Sequence, residues 1–260
     1  MSPMGFAAQL HDYFRQMGSA LVTFSGGVDS TVLAKVAHDA LGDRAVALTA
    51  ASPSLAAGEL EEARRLADRI GIRHLVVESR ELENPAYAEN PANRCFFCKT
   101  ELFGLAASKA RELGLAHIVE GTHAEDLRGP RPGFTAAREH GVRSPFLELG
   151  IGKAEIRAIA RSSGLPNWDK PALACLASRL PTGTAVTVER LAQVDRCEQG
   201  LRALGFSQVR ARYHGPTVRL EVPPADLPRF MDTEIVAAAA SAARTAGFST
   251  VLLDLAGYRR

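Results

Sequence analysis

The sequence predicts an α/β fold, a parallel sheet with helices on both faces, joined to a small C-terminal α+β domain. Short apolar, β-rich segments alternate with amphipathic helical segments as far as about Gly183. A glycine pair directly follows the first of these strands. Beyond Gly183 the pattern changes to an α-β-β-α-β order. We expect the sheet domain at residues 1–180 and the small domain at residues 181–260.

The strands and helices follow from the spacing of apolar residues. In the first domain, strands are predicted at 19–24, 45–50, 73–77 and 116–120, and helices at 30–41, 59–70, 99–113 and 153–163. Segments 81–93 and 126–133 are polar or rich in Pro and Gly, and we expect loops there. In the second domain, helices are predicted at 188–204 and 225–246, and strands at 208–213, 218–222 and 250–255.

Composition narrows the function classes. The chain has 260 residues, of which 46% are hydrophobic and 23% charged, as in soluble globular proteins. No apolar run approaches the roughly 20 residues of a membrane span, and Asp12, Arg15 and Gln16 interrupt the start. We therefore expect a cytoplasmic protein with no membrane partner. A net charge of +2 gives no overall field for nucleic acid, which makes a nucleic-acid partner unlikely.

The strongest motif is Ser25-Gly26-Gly27-Val28-Asp29-Ser30, at the end of the first strand. Two glycines followed by a helix start expose backbone N–H groups, which suit a pyrophosphate. Asp29 repels a bare phosphate, so we expect it to hold Mg²⁺ or to cap the helix. The Gly-Lys-Ser/Thr ending of a Walker loop is missing. The alternative is an ordinary strand-to-helix turn.

This hexapeptide resembles the loop of the PP-loop ATP pyrophosphatases, which split ATP between the α and β phosphates and adenylate an oxygen of the substrate. The resemblance implies that Thr49 and Ala50, with Ala51, face the adenine. It also implies that Gly121 and Thr122 approach the nucleotide, at the carboxyl ends of parallel strands.

Three charged residues outside the loop are further candidates in this domain. Asp126 lies just beyond the strand that ends at Gly121 and is a candidate partner for Mg²⁺. Lys99 and Lys153 are candidates for phosphate binding. The alternative for each lysine is a solvated residue at a helix end.

Three of the four cysteines suggest sulfur or metal chemistry. Cys95 and Cys98 form a Cys-x-x-Cys pair in one predicted loop, and Cys175 lies in another. Three thiolates could hold an iron–sulfur cluster with one iron left open for an extra sulfide. Alternatively, Cys175 acts alone as a nucleophile whose thiolate Arg179 favours, or is a buried structural residue. Cys197 lies within a predicted helix and is expected to be structural.

Longer motifs indicate a resemblance to one family within this superfamily. Segments 153–157, 168–171, 175–183 and 210–215 closely resemble the LarE family, and the similarity extends over nearly the whole chain. The family implies an enzyme that adenylates a carboxylate of pyridinium-3,5-biscarboxylic acid mononucleotide and replaces oxygen with sulfur, in nickel-pincer nucleotide synthesis. It also implies ATP and Mg²⁺ as cofactors and a homo-oligomer.

The family has two variants. In one, a cysteine that matches Cys175 gives up its own sulfur; in the other, three cysteines hold a 4Fe–4S cluster. Because Cys95, Cys98 and Cys175 are all present, this chain resembles the cluster type. Thiolation of tRNA, which the same loop and cysteines could serve, is a further alternative.

Polar residues near Cys175 and in the second domain complete the predicted site. Arg179, Arg210 and Arg212 offer guanidinium groups for the phosphate of a mononucleotide. Ser178 could donate to the substrate, and Glu198 could bind a metal or orient an arginine. The alternative for Arg210 and Arg212 is the exposed face of a strand.

Overall fold

A computed structural model describes residues 3–127, 129, 131–172 and 174–258, which form two units. Unit 1 contains the described residues of Met1–Ser52, Gly58–Glu81 and Asn93–Leu173. Unit 2 contains those of Pro53–Ala57, Leu82–Ala92 and Ala174–Arg260.

The described residues contain ten α-helices and seven β-strands. The helices are α1 (Pro3–Met17), α2 (Val28–Leu41), α3 (Glu59–Ile70), α4 (Pro85–Ala88), α5 (Arg94–Glu112), α6 (Pro132–Glu139), α7 (Pro145–Glu148), α8 (Lys153–Ser162), α9 (Val188–Ala203) and α10 (Thr233–Thr245). The strands are β1 (Ala20–Thr23), β2 (Ala45–Ala51), β3 (Arg73–Glu78), β4 (His117–Val119), β5 (Arg210–His214), β6 (Thr217–Glu221) and β7 (Thr250–Leu253). Short 3₁₀ turns occupy Gly42–Arg44, Glu81–Glu83, Ala124–Leu127, Leu176–Arg179 and Pro224–Met231.

The four strands of unit 1 form a parallel sheet in the order β3-β2-β1-β4, which confirms the predicted fold class. Alternate residues of β1 point to opposite faces, as the pleat requires. Val22 packs in a core with α1, α2 and α8, whereas Leu21 packs with Ala106 and Ala110 of α5. Helices therefore cover both faces, and the carboxyl ends of β1, β2 and β4 share one edge.

Two helices of unit 1 differ from prediction. Helix α5 begins at Arg94 rather than at residue 99, so the Cys-x-x-Cys pair lies on a helix and not in a loop. Phe96 explains the early start, because its ring packs against a cluster that includes Phe103 and joins α5 to α6. Helix α6 begins at Pro132, inside the expected loop 126–133, since proline suits a first helical position. Arg128 and Pro130 of that loop lie outside the described residues.

Other differences are local. Helices α1, α6 and α7 were not predicted, and the loop expected at 81–93 contains the short helix α4. The single helix expected at 225–246 is two pieces, a 3₁₀ segment that contains Pro228 and then α10. Asp232 separates them, because its side chain accepts a hydrogen bond from Glu234 N and starts α10 as an N-cap.

Unit 2 has a three-stranded sheet in the order β5-β6-β7. Strands β5 and β6 are antiparallel, and β6 and β7 are parallel. Helix α9 packs on α10 and on β5. This confirms the predicted α-β-β-α-β order. In the part of the chain that the structure describes, no helix combines the length and the apolar content that a membrane crossing needs.

Candidate functional site

The glycine loop lies between β1 and α2. Gly26 has φ +71, a left-handed conformation that glycine adopts without strain, and Gly27 is the N-cap of α2. The first N–H groups of a helix have no partner within it and carry the positive end of its dipole. The loop thus has the backbone geometry of an anion-binding turn.

Hydroxyl groups fix the loop from within. Ser25 N donates to Ser30 Oγ at 3.2 Å, and Ser30 Oγ donates to Gly27 O at 3.1 Å. Ser30 is buried and Ser25 is exposed. Ser30 therefore closes the loop from inside, whereas the exposed Ser25 accepts a hydrogen bond from Gly27 N at 3.3 Å.

Gly121 lies against the start of α2, directly after β4. A Cβ atom at this position would lie 3.1 Å from Asp29 Cβ, so a larger residue would push the two segments apart. Thr122 N and Thr122 Oγ1 both donate to Glu120 Oε2, at 3.1 and 2.6 Å. The structure thus brings Gly121 and Thr122 to the loop edge of the sheet.

Asp29 and Lys153 form an ion pair. Lys153 Nζ lies 2.5 and 2.7 Å from the two carboxylate oxygens of Asp29, and both side chains are partly buried. Lys153 begins α8, whose N-terminal N–H donates to both carboxylate oxygens of Glu125. The alternative of a solvated helix-end lysine is therefore wrong for Lys153.

Thr49 lies at the carboxyl end of β2 and is 4% exposed. Its hydroxyl donates to Phe24 O at 2.6 Å and lies 2.8 Å from His74 Nε2. Burial lowers the pKa of His74 below its usual value, which favours the neutral ring here. The Thr49 hydroxyl is thus engaged within the sheet, and the half-buried Ala50 follows it.

Asp126 and Lys99 lie beside this edge of the sheet, and their side chains make different contacts. Asp126 Oδ1 pairs with Arg131 Nη2 at 2.8 Å. Lys99 is half-buried on α5, with Nζ 5.7 Å from the centre of the Phe103 ring. A Cβ atom at Gly133 would lie 3.0 Å from Lys99 Cγ, so this glycine allows α6 to approach the turn that carries Lys99.

The cysteines occupy different environments. Cys95 is exposed and Cys98 half-buried on one side of α5, while Cys175 is exposed in unit 2, so it is not a buried structural residue. Cys197 is fully buried, and burial raises the pKa of its thiol to about 12, as suits a structural cysteine. The structure has no disulfide among these four residues. Among the described residues, no three His, Cys, Asp or Glu side chains are grouped so as to hold a metal ion.

A buried ion pair involves Arg179, four residues after Cys175. Arg179 is 2% exposed, and its Nε and Nη2 donate to Glu198 at 2.7 and 2.9 Å. Glu198 is completely buried and also accepts from Arg202 Nη2 and Ala211 N, at 2.9 and 3.0 Å. A carboxylate with this many donors is held in place as the orienting partner of Arg179.

Three arginines bind the backbone on either side of Cys175. Arg179 Nη1 donates to the carbonyl oxygens of Ala174 and Cys175, at 2.6 and 3.1 Å. Arg210 Nη1 lies 3.5 Å from Ala174 O, and Arg212 Nη1 donates to Ser178 O at 2.9 Å. These contacts fix the segment from Ala174 to Ser178.

The two arginines of β5 also have partners further along the chain. Arg210 is 3% exposed, which makes the exposed-strand alternative wrong for it, and Arg210 Nη2 lies 3.3 Å from the Tyr258 hydroxyl. Arg212 Nε donates to Glu221 Oε2 at 3.0 Å. Sequence reasoning missed Tyr258 and Glu221. Glu221 had a weak signal, since it lies in the strand 218–222 that was predicted to pair with the strand of Arg212.

The chain is similar in sequence to several known proteins. Residues 6–102 match the NAD synthase family. The chain is 47% identical to an uncharacterized protein of Synechocystis, over 96% of this chain and 93% of the relative. It is 34% identical to the pyridinium-3,5-bisthiocarboxylic acid mononucleotide synthase of Lactiplantibacillus plantarum, over 92% of this chain and 86% of the relative. The chain belongs to the LarE family. This LarE protein is an enzyme, an ATP-using sulfurtransferase with a PP-loop domain, and its family uses ATP with Mg²⁺.

A second group of relatives is more distant. The chain is 30% identical to the tRNA-specific 2-thiouridylase MnmA of Thermus thermophilus, over 60% of this chain and 53% of the relative. The similarity to LarE relatives covers far more of both chains.

Proposed function

We propose that this chain adenylates a carboxylate of pyridinium-3,5-biscarboxylic acid mononucleotide and replaces its oxygen with sulfur, in the synthesis of the nickel-pincer nucleotide cofactor. The observation that carries the proposal is the similarity over 92% of the chain to a relative named as the synthase of the bisthiocarboxylic acid mononucleotide. A thiocarboxylate product requires that a carboxylate oxygen be made into a leaving group and that sulfur replace it.

Unit 1 supplies residues for activation. A carboxylate oxygen of the substrate attacks the α phosphorus of ATP, and the bond to the bridging oxygen breaks, so that pyrophosphate leaves with the electron pair. The N–H groups of the Ser25–Ser30 loop and the Gly121-Thr122 backbone bind phosphate oxygens. Backbone atoms of Thr49 and Ala50 face the adenine.

The charged groups at the same edge of the sheet interact with the phosphates of ATP. Asp29 and Asp126 would hold Mg²⁺, which would offset the negative charge of the phosphates, and Lys153 offers an ammonium group to a phosphate oxygen. Lys99 offers a second ammonium group.

The second step forms a carbon–sulfur bond at the activated carbon and releases AMP. Cys95, Cys98 and Cys175 would be the ligands of a 4Fe–4S cluster, since their thiolates are the donors that such a cluster takes. Cys95 and Cys98 lie three residues apart on α5, and Cys95 and Cys175 are exposed. When bound, the cluster would supply a sulfide at the iron that no cysteine ligates.

The alternative uses Cys175 alone. Its sulfur attacks the activated carbon and AMP leaves. Loss of the Cα proton then breaks the Cβ–S bond, which leaves dehydroalanine in the chain and a thiocarboxylate on the product.

Unit 2 supplies the residues for the phosphate of the mononucleotide. Arg210 and Arg212 offer N–H groups to that phosphate, and Ser178 offers its hydroxyl. Arg179, oriented by Glu198, positions the backbone around Cys175. We further propose that the protein acts in the cytoplasm as a homo-oligomer.

Thiolation of tRNA is the competing function, because the MnmA relatives act on tRNA by name. A net charge of +2 favours a small substrate over tRNA, whose binding depends on many phosphate contacts. Retention of tRNA at moderate salt would favour the competing function.

The test uses the purified full chain with Mg²⁺, ATP and the biscarboxylic mononucleotide, with and without anaerobic iron and sulfide reconstitution. We expect release of pyrophosphate and AMP and a product heavier by one sulfur-for-oxygen exchange, measured by mass spectrometry. No pyrophosphate release with this substrate would overturn the proposal.

Cysteine variants separate the two sulfur sources. For a cluster, the double variant Cys95→Ala/Cys98→Ala loses multiple turnover and the absorption near roughly 400 nm. Cys197→Ala is the matched control and retains both. For the sacrificial route, each chain makes one equivalent of product and loses about 34 Da at Cys175, and the double variant reacts normally.

A further inference from the structure

Asn167 makes an unpredicted contact with the glycine loop. It lies after α8 in unit 1 and is 5% exposed. Its Nδ2 donates to Gly26 O and to Thr31 Oγ1, both at 3.0 Å. One buried amide thus reaches both the loop and the first turn of α2.

The hydrogen bond from Asn167 to Gly26 O fixes the orientation of the Gly26–Gly27 peptide. In a trans peptide the carbonyl and the N–H point to opposite sides, so a held Gly26 carbonyl directs the Gly27 N–H the other way. That N–H donates a hydrogen bond to Ser25 Oγ at 3.3 Å, at an exposed position of the loop. Glycines on both sides of a peptide let it rotate easily, so this direction needs an external anchor.

Thr31 extends the same anchor to the next carbonyl. Thr31 Oγ1 accepts from Asn167 and donates to Gly27 O at 2.8 Å. Thr31 N also donates to Gly27 O, at 3.0 Å. The carbonyl oxygens of both glycines are therefore occupied by donors from Asn167 and Thr31.

Asn167 is itself held by neighbouring helices. Lys170 N donates to Asn167 O at 3.0 Å, and Lys170 Nζ binds Glu59 and Glu62 of α3, at 3.0 and 2.7 Å. Arg157 of α8 donates to Lys170 O at 3.2 Å. The amide of Asn167 is thus presented to the loop from a segment fixed on two sides.

We propose that Asn167 is a positioning residue for the pyrophosphate portion of ATP. Its amide selects the Gly26–Gly27 peptide orientation in which an N–H, and not a carbonyl oxygen, faces the anion. A reversed peptide would replace a donor with a repelling dipole. The inference rests on the proposed role of the loop in binding the phosphates of ATP.

The test measures binding by the full chain with Mg²⁺ and pyrophosphate, α,β-methylene-ATP or AMP. Asn167→Asp and Asn167→Ala remove both donated bonds. We expect the affinity for pyrophosphate and for the ATP analogue to fall about 10- to 100-fold, the loss typical of a hydrogen bond to a charged group. Affinity for AMP, which lacks the β and γ phosphates, stays within about twofold.

Thr23→Val is the matched control. It removes one buried hydrogen bond in the same unit, from Thr23 Oγ1 to Val119 O at 3.2 Å, and should lower the melting temperature without changing pyrophosphate affinity. Thr31→Val and Thr31→Ser form a second pair. The valine variant should lose pyrophosphate affinity, and the serine variant, which keeps the hydroxyl, should retain it.

The results distinguish a failure of the proposed role of the loop from a failure of the Asn167 inference. If the unaltered protein binds neither pyrophosphate nor the ATP analogue, the proposed role of the loop fails. If it binds both and the Asn167 variants bind them equally well, the Asn167 inference is overturned. Equal loss of AMP and pyrophosphate affinity would also overturn it, since that pattern indicates general destabilisation. Should the Asn167 variants not fold, equal affinities of Thr31→Val and Thr31→Ser would overturn it.

Discussion

The glycine loop of unit 1 and the Cys175 segment of unit 2 are both fixed by hydrogen bonds to backbone carbonyls, but from different donors. Neutral groups hold the loop: the hydroxyls of Ser30 and Thr31 and the amide of Asn167. Guanidinium groups hold the Cys175 segment, and carboxylates such as Glu198 compensate their charge. The loop leads into the N-terminal turn of α2, whose N–H groups suit an anion, and the Cys175 segment keeps an exposed thiol in place.

This difference implies that the two regions respond differently to substitution. A neutral hydrogen bond contributes about 1 kcal/mol to folding, so a loop variant should lose ligand affinity before it loses stability. Removing one partner of a buried ion pair leaves an uncompensated charge and costs about 3–5 kcal/mol. Variants around Cys175 should therefore lose stability first.

The largest expected effect is at Glu198. Glu198→Ala leaves the buried Arg179 without its carboxylate, and we expect the free energy of unfolding to fall by about 3–5 kcal/mol in urea denaturation. Glu61→Ala, which breaks the exposed pair with Arg64, is the control and should change it by less than about 0.5 kcal/mol. A similar small loss for both variants would show that the arginine network does not stabilise unit 2.

A smaller effect, on activity and not on folding, is expected at Asp29. Asp29→Asn removes the proposed Mg²⁺ ligand and the partner of Lys153, and we expect Mg²⁺-dependent pyrophosphate release to fall about 100-fold. The urea midpoint should hardly change, because the pair is partly exposed. Asp39→Asn breaks the Lys35–Asp39 pair on the same helix and should leave pyrophosphate release unchanged. Equal rates for the two variants would contradict a role for Asp29 in Mg²⁺ binding.

Sequence patterns correctly predicted structural elements that depend on residues close together in the chain. The strand that precedes Ser25, the turn at the glycines and the helix that follows lie within one short stretch, so periodicity and turn chemistry identify them. The parallel sheet followed from the alternation of strands and helices, and the structure confirms a parallel sheet of four strands.

Contacts between distant residues could not be predicted in this way. Asn167 and Gly26 lie far apart in the chain, and so do Lys153 and Asp29; no periodic pattern marks such a pair. Sequence alone also does not show that Glu198 pairs with Arg179 or that Glu221 pairs with Arg212. The early start of α5 was missed because the packing of Phe96 against α6 depends on tertiary structure.

The smallest effect we predict concerns pH, through Glu148 of α7 in unit 1. The hydrogen bond from Arg143 lowers the pKa of Glu148 to about 2; burial opposes this, and the Tyr13 hydroxyl supports it at 2.7 Å. In the unfolded chain a glutamate titrates near about 4.3. A carboxyl whose pKa is lower in the folded state stabilises it fully above the unfolded pKa and loses that contribution as pH falls toward the folded pKa.

Glu148→Gln tests this effect. Allowing for solvent screening of a partly exposed group, we expect the variant to be less stable by about 1–2 kcal/mol at pH 7. That difference should narrow as pH falls from about 4.5 toward 2, because the original protein then loses stability that the variant never had. Urea midpoints across this range measure it, and Glu112→Gln, at an exposed pair with Lys109, is the control. A difference that stays constant with pH would mean that Glu148 stabilises the fold through packing and not through its charge.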